Sequence, residues 1–216
     1  NWGLAIIALT FFVKTAFLPL TKAGLVSMKA MSELQPEIKA LRERITDPTQ
    51  LNQEMLTLYR KRGVNPMGGC FPMLIQIPVF LGLYNALLNA MELRHAPFAL
   101  WIQDLSSPER FMIGTVPVQL MVLILGVSMF IQQYMTPTPG MEPAQRKILL
   151  LMPLILSISF IVYPLPAGLV LYWIVNNTIS ITQQSFIKNE RRVSPLQATL
   201  LAGGAMLVFG YILTLI

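Results

Sequence analysis

The sequence has little charge and almost none of the residues that form disulfide bonds or metal sites. Only 12% of its 216 residues are charged, whereas a typical soluble domain has roughly 25%. Cys70 and His95 are each the only residue of their type. An intrachain disulfide and a metal site built on several Cys or His ligands are therefore excluded, and we expect no metal and no other cofactor.

Sequence motifs typical of catalysis are also missing. None of the patterns HExxH, GxSxG and GxxxxGK[ST] occurs, and the long hydrophobic segments contain no pair of Asp residues. His95 falls in a predicted external loop, far from the polar residues of the hydrophobic segments. We predict that the chain is not an enzyme and has no catalytic residues.

Long uncharged segments indicate a membrane protein. The ranges 63–91, 111–141, 148–187 and 193–216 contain no Asp, Glu, Lys or Arg. About 20 consecutive apolar residues cross a hydrocarbon core about 30 Å thick, and the third range is long enough for two spans. The net charge of +6 fits basic loops beside membrane spans better than nucleic-acid binding, which we do not expect.

Residues 21–62 differ from the rest of the chain because they hold 8 of the 16 basic residues. Apolar residues recur there at steps of three or four, and Asp47-Pro48 interrupts the pattern. This pattern predicts an antiparallel helical hairpin outside the membrane. Pro36 is expected to kink its first arm or to start a new helical turn.

We therefore predict an all-α membrane protein with a five-span helical core, a cytoplasmic antiparallel helical hairpin and an extra C-terminal span. The predicted segments are 1–20 (first core span), 21–64 (hairpin), 65–91 (second span), 92–115 (external interfacial loop), 116–135 (third span), 136–147 (cytoplasmic loop), 148–163 (fourth span), 167–187 (fifth span) and 196–216 (additional span).

The distribution of basic residues predicts the orientation of these spans. The hairpin, the 136–147 loop and the segment 188–192 carry 13 Lys and Arg residues, whereas the external loop carries 2. Loops rich in Lys and Arg stay in the cytoplasm. The first residue is therefore expected outside, with the spans alternating from there.

Lys14 is the only charged residue within the first predicted span. A charge near the centre of a span costs about 2.5 to 3.5 kcal/mol on insertion scales, and such residues usually face water or a partner. Lys14 is therefore a candidate binding residue, with Thr10 one turn away on the same face. The alternative is that Lys14 snorkels, because its backbone lies only about 9 Å from the inner end of the helix at Leu20.

Polar and amphipathic residues form one stripe along the fifth predicted span. Further polar groups lie in other spans: Gln76 in the second, and Ser128, Gln132 and Gln133 in the third. Together with the stripe, they predict a hydrophilic groove that opens toward the cytoplasm. The alternative is simple packing, since polar side chains in bundles form interhelical hydrogen bonds of about 0.6 kcal/mol each. The stripe contains Trp173, Asn176, Asn177, Ser180, Gln183 and Gln184, which share one helical face.

Several motifs in a fixed order resemble a known family. They are NWG at 1–3, LPLTKA at 18–23, NPMGGCFPMLIQIPVFLGLY at 65–84, ELRHAPFALWIQDLS at 92–106 and GLVLYWIVNN at 168–177. They resemble the YidC/Oxa/Alb membrane-protein insertases, most closely the bacterial YidC branch, over residues 1 to about 190. The resemblance implies the same five-span core with a cytoplasmic hairpin, located in the bacterial inner membrane.

The resemblance also implies a function as insertase and chaperone without chemical catalysis. A groove within the bundle receives the hydrophilic tail of a client, and the client's apolar segment then enters the lipid. Lys14 matches a position where the family usually has arginine, and Trp173 matches one often held by tyrosine. The expected client-binding groove consists of Lys14, Thr10, Gln76, Gln133, Trp173, Asn176, Asn177 and Ser180.

The implied partners are nascent membrane-protein clients, the Sec translocon, membrane lipids and the ribosome, the last through the hairpin and the cytoplasmic loops. A small transporter or channel with a polar groove is an alternative. It is disfavoured because no inverted repeat and no ring of ionisable groups across the membrane is visible in the sequence. A structural subunit that scaffolds other spans is a third interpretation.

Residues 196–216 have no counterpart in the resemblance. Their length of about 31 Å as a helix is enough for one crossing, and Lys188, Arg191 and Arg192 would hold the start at the cytoplasmic face. We predict a peripheral span that is dispensable for insertion, with Gly203-Gly204, Ala202 and Ala205 as a small-residue surface for packing on another helix. The alternative is a helix folded back along the inner interface.

Overall fold

In a computed structural model of the chain, the described residues are 1–65, 71–136, 138, 141, 143–188 and 194–215. Residues 66–70 of the predicted second span, part of the predicted 136–147 loop and the basic segment 189–192 lie outside them. The described residues are mostly helical. The helices are α1 (Trp2–Ala16), α2 (Leu18–Glu33), α3 (Gln35–Arg44), α4 (Pro48–Lys61), α5 (Phe71–Asn89), α6 (Leu120–Met135), α7 (Pro143–Val162), α8 (Ala167–Lys188) and α9 (Pro195–Leu215).

Two of the described helices are long and apolar enough to cross a membrane by themselves. They are Ala144–Val162 within α7 and Pro195–Leu215, which is α9. A third span results if α1 and α2, which meet at a bend of 64°, are counted as one. The shorter segments Gln76–Leu87 and Leu120–Met135 are also apolar. These helices agree with an all-α membrane protein, and the count of five core spans stays a prediction.

The first predicted span differs from the observed helix because α1 ends at Ala16, before the predicted end at Leu20. Phe17 separates α1 from α2, and its backbone N–H still bonds to the carbonyl of Val13. Pro19 follows in the first turn of α2. Proline has no N–H to continue a helix, and its ring clashes with the carbonyl four residues earlier. The chain therefore bends at this point.

The predicted hairpin region contains α2, α3 and α4. A new helix starts at Gln35 with Pro36 in its first turn, where proline's missing N–H costs nothing. Asp47 caps α4 by accepting a hydrogen bond of 3.1 Å from the N–H of Thr49. Four buried side chains form a small core of their own, separate from that of the bundle: Met31, Leu34, Ile38 and Tyr59.

A two-stranded antiparallel sheet lies across the end of the predicted external loop and the predicted start of the third span. Strands β1 (Phe111–Ile113) and β2 (Val116–Val118) pair through a tight turn in which Gly114 has a φ of +63°, and α6 begins only at Leu120. β-branched residues favour extended backbone, and glycine accepts the positive φ of the turn. The described residues are thus mainly helical, with one short hairpin of strands.

The loop between α5 and α6 closes one end of the bundle and caps the helices that start there. The carbonyls of Ser107 and Leu105 each accept a hydrogen bond of 2.9 Å, from the N–H groups of Ala167 and Gly168 at the start of α8. The Glu109 carboxylate accepts a bond of 2.6 Å from the N–H of Met121 in α6. These bonds satisfy helix N-termini that otherwise have no partners.

The main core lies beneath this loop, between α1, α6 and α8. Leu105 of the loop, Leu125 of α6 and Ile179 of α8 are completely buried. Helix α7 packs mainly on α6, whereas α9 packs on both α1 and α8. The polar residues of α8 lie on a helix that other helices surround.

Candidate functional site

Lys14 lies near the cytoplasmic end of α1 as the sequence orients it, and its side chain reaches α8. Its ammonium donates a hydrogen bond of 2.8 Å to the hydroxyl of Ser180, and that hydroxyl donates in turn to the carbonyl of Asn176 at 2.9 Å. Ser180 and Asn176 are buried, and Lys14 is partly buried. The structure thus brings three of the predicted groove residues together. Because the Ser180 hydroxyl is neutral, this hydrogen bond does not balance the positive charge of the Lys14 ammonium.

Thr10 lies one turn before Lys14 and is 1% exposed. Its hydroxyl donates a hydrogen bond of 2.7 Å to the carbonyl of Ile6 in the same helix. This internal bond satisfies the buried hydroxyl and leaves its oxygen free to accept another.

The polar stripe of α8 bonds to two neighbouring helices. The amide of Asn177 donates to the hydroxyl of Ser128 in α6 at 3.1 Å, and the amide of Gln183 donates to the hydroxyl of Thr199 in α9 at 2.6 Å. All four side chains are buried. These are interhelical hydrogen bonds of the kind that the packing alternative describes.

Trp173 lies where α5, α7 and α8 meet. Its ring packs edge-on against Phe80, with ring centroids 5.2 Å apart, and lies tilted against Phe160, with ring centroids 5.6 Å apart. The amide of Gln76 donates a hydrogen bond of 2.5 Å to the hydroxyl of Tyr172, the neighbour of Trp173. Gln76 and Trp173 therefore lie on the same side of the bundle, toward α5.

Gln133 is partly buried in the last turn of α6. It follows Ser128 by five residues, which places it about 140° around the helix from the Ser128–Asn177 contact. The predicted groove residues are consequently spread over at least two faces of α6.

Three contributors were missed at the sequence level: Tyr172, Thr199 and the pair of Phe rings around Trp173. Tyr172 stands beside Trp173 in the GLVLYWIVNN motif, so its position near the site was a usable signal. Thr199 is one of few polar residues in a hydrophobic segment, but nothing in the sequence relates it to Gln183. Among the described residues, no group of three or more His, Cys, Asp and Glu side chains is placed to hold a metal ion.

Comparison with known sequences decides the family. Residues 1–194 match the family described as 60Kd inner membrane protein. The chain belongs to this family. The resemblance stated from the motifs is thereby confirmed, and the protein is one of the bacterial inner membrane.

Several curated relatives carry the name membrane protein insertase YidC. The relative from Syntrophobacter fumaroxidans is 48% identical over 196 residues, covering 88% of this chain and 35% of the relative. The relative from Mannheimia succiniciproducens is 50% identical over 188 residues, covering 87% of this chain and 33% of its own length. The chain therefore spans about a third of the length of the curated relatives it matches. Helix α9, which starts at Pro195, lies beyond the family match.

Proposed function

We propose that the chain acts as a membrane-protein insertase and chaperone. It receives the hydrophilic tail of a client in a positively charged groove open to the cytoplasm, and it releases the client's transmembrane segment to lipid. The names of its relatives support this activity. The observation that carries this proposal is the position of Lys14. This cation lies inside the helical bundle and donates a hydrogen bond to the neutral hydroxyl of Ser180.

The energetics of such a groove follow from solvation. Moving a hydrophilic tail into hydrocarbon is costly because its polar groups lose hydrogen bonds to water. The polar groups of Lys14, Gln133 and Trp173, whose side chains are only partly buried, offer replacement partners within the bundle. The Lys14 ammonium attracts acidic residues of the tail, by about 4 kcal/mol at 4 Å in an environment of intermediate dielectric.

Release to lipid requires no covalent step. The outer surface of the bundle is apolar, with Leu151, Ile155 and Ile158 of α7 exposed. A client segment of about 20 apolar residues is stable in the bilayer once it leaves the bundle. The five-span core with its cytoplasmic hairpin belongs to this proposal, as do the Sec translocon and the ribosome as partners of the charged hairpin.

Site-specific photocrosslinking to stalled nascent clients tests this function. A photoreactive residue in place of Gln133 is expected to react with the hydrophilic tail of a nascent membrane protein. Val127, which is 60% exposed on α6, serves as the control position and is expected to give weaker tail crosslinks. A yield at Gln133 no higher than at Val127 would contradict the groove. Crosslinking that changes with the concentration of a small solute would indicate a transporter. Crosslinking to one constant neighbouring protein would indicate a scaffold.

A further inference from the structure

Helix α9 packs on the two helices that carry the Lys14–Ser180 contact. It lies against α1 and α8 along much of its length, although the sequence predicts a peripheral and dispensable span. Its start is fixed by a reciprocal cap, in which the Ser194 hydroxyl accepts from the N–H of Gln197 and the Gln197 side chain accepts from the N–H of Ser194. The helix is therefore a defined part of the bundle.

A buried hydrogen bond ties α9 to α8. Gln183 is 1% exposed and Thr199 is fully buried, and the Gln183 amide donates to the Thr199 hydroxyl at 2.6 Å. The Thr199 hydroxyl itself donates to the carbonyl of Pro195. Removal of the Thr199 hydroxyl would leave the Gln183 amide buried without this acceptor, which is unfavourable in an apolar environment.

Two glycines let α9 approach α1 closely. A Cβ atom added at Gly203 would collide with the ring of Phe11, and one added at Gly210 would lie 2.9 Å from Cδ1 of Ile7. A Cβ atom added at Gly204, the next residue along, would meet no atom within 4 Å. Small residues at helix contacts permit this kind of close packing in membranes.

Both contacts fall within one helical turn of the Lys14–Ser180 hydrogen bond. Phe11 precedes Lys14 by three residues, and Gln183 follows Ser180 by three. We infer that α9 positions Lys14 by holding α1 against α8 at this depth, and that Thr199 and Gly203 are the positioning residues. This inference rests on the proposed function, because it gives α9 a role in the same groove.

The chemical reactivity of the Lys14 amine measures this positioning directly. The full chain in membrane vesicles is treated with an amine-reactive reagent, and modification of Lys14 is followed by mass spectrometry relative to the exposed Lys22. Gly203→Leu is expected to raise the relative rate at Lys14 several-fold, because a displaced α9 lets α1 separate from α8. Gly204→Leu, the matched control, is expected to leave it unchanged. Equal rates in the two variants would overturn the inference.

A second pair of variants covers the case in which Gly203→Leu does not accumulate. Thr199→Val keeps the shape of the side chain but removes the hydroxyl, whereas Thr199→Ser keeps it. We expect faster Lys14 labelling and weaker client insertion in the valine variant, with recovery of both in the serine variant. Labelling that is the same in both would refute the positioning role. Altered labelling with full insertion would keep the positioning role and refute the function of the groove.

Discussion

At the scale of single residues, two carboxylates in the loop between α5 and α6 show opposite pKa shifts. Burial raises the pKa of Glu109, although its carboxylate accepts hydrogen bonds from the N–H of Met121 and from the indole of Trp101. Burial also acts on Asp104, but hydrogen bonds from Ser106 and from the N–H of His95 outweigh it and lower the pKa of Asp104. The two residues therefore change the free energy of unfolding with pH in opposite directions.

The pH dependence of unfolding tests the Glu109 site. A raised folded pKa means that stability is lost as the pH rises from the usual carboxyl value of about 4 through the folded pKa. Glu109→Gln is expected to remove this loss, so that its melting temperature in detergent declines less steeply over that window than the wild-type value. Its absolute stability is expected to be lower by about 1 to 3 kcal/mol, because one buried N–H loses its acceptor.

Asp104→Asn is the matched control for this measurement. Asp104 has a lowered folded pKa, so its contribution is present above the usual value and is lost as the pH falls through the folded pKa. The variant is expected to lose stability mainly at neutral pH. If both variants keep the wild-type pH profile, neither carboxylate is linked to folding in this way.

The sequence identified Lys14 but not most of its surroundings. An isolated charge in a hydrophobic segment is visible without any structure, and helical spacing relates Ser180 to Asn176 and Asn177. The bonds from Gln183 to Thr199 and from Gln76 to Tyr172 depend on which helices are neighbours. No spacing rule within one helix contains that information.

At the scale of elements, the hairpin region has a much smaller core than the bundle. Its buried side chains are confined to one cluster around Ile38 and Tyr59. Arg62 and Glu37 form an ion pair of 2.5 Å between the two arms, but an exposed pair of this kind contributes little to stability. The arms are therefore held by few contacts, and local opening is expected to cost little free energy.

Hydrogen exchange is expected to be faster in residues 25–58 than in α6 and α8. Ile38→Ala, which removes a completely buried side chain from the small cluster, is expected to accelerate exchange in the hairpin further and to leave α8 unchanged. Truncation of a buried isoleucine to alanine typically lowers the free energy of unfolding by about 2 to 5 kcal/mol. Slower exchange in 25–58 than in the spans would contradict this description.

Two element boundaries in the structure differ from those that the sequence predicts. The periodicity of residues 2–20 gives no sign that the helix stops at Ala16, although Pro19 is a recognisable helix breaker. The sequence assigns β2 to the start of the third span because Val116, Val118 and their neighbours are apolar in either conformation, and it assigns β1 to the external loop. Apolar composition alone does not separate a short strand from a helix.

At the scale of the whole molecule, the orientation rests on the distribution of basic residues. The described helices include two, or three with a bent pair, that satisfy a length and hydropathy criterion for spanning. The apolar sequence of helix α8 is interrupted by amide side chains that bond to neighbouring helices, such as those of Asn177 and Gln183. These side chains lower the mean hydropathy of α8, which the sequence predicts as the fifth span.

Cysteine labelling with a membrane-impermeant maleimide tests the topology. In a background in which Cys70 is replaced by serine, Gln50→Cys is expected to react only from the cytoplasmic side. Gln103→Cys, also exposed, is expected to react only from the outside. A cysteine added after Ile216 is expected to react from the outside as well. Labelling of Gln103→Cys from the cytoplasm alone would mean that the predicted orientation is reversed. Labelling of the cysteine after Ile216 from the cytoplasm alone would refute the crossing by α9.

Complementation with charge variants of Lys14 tests the central claim most directly. In cells depleted of the native protein, Lys14→Arg is expected to retain insertion because it keeps the positive charge, even though its hydrogen-bonding geometry differs. Lys14→Glu is expected to lower the insertion of clients with acidic tails about tenfold or more, since attraction of about 1 to 4 kcal/mol becomes repulsion. Lys22→Glu reverses the charge of an exposed side chain in α2 and controls for the change in net charge. This variant is expected to support normal insertion of the same clients. Full rescue of these clients by Lys14→Glu would contradict the account.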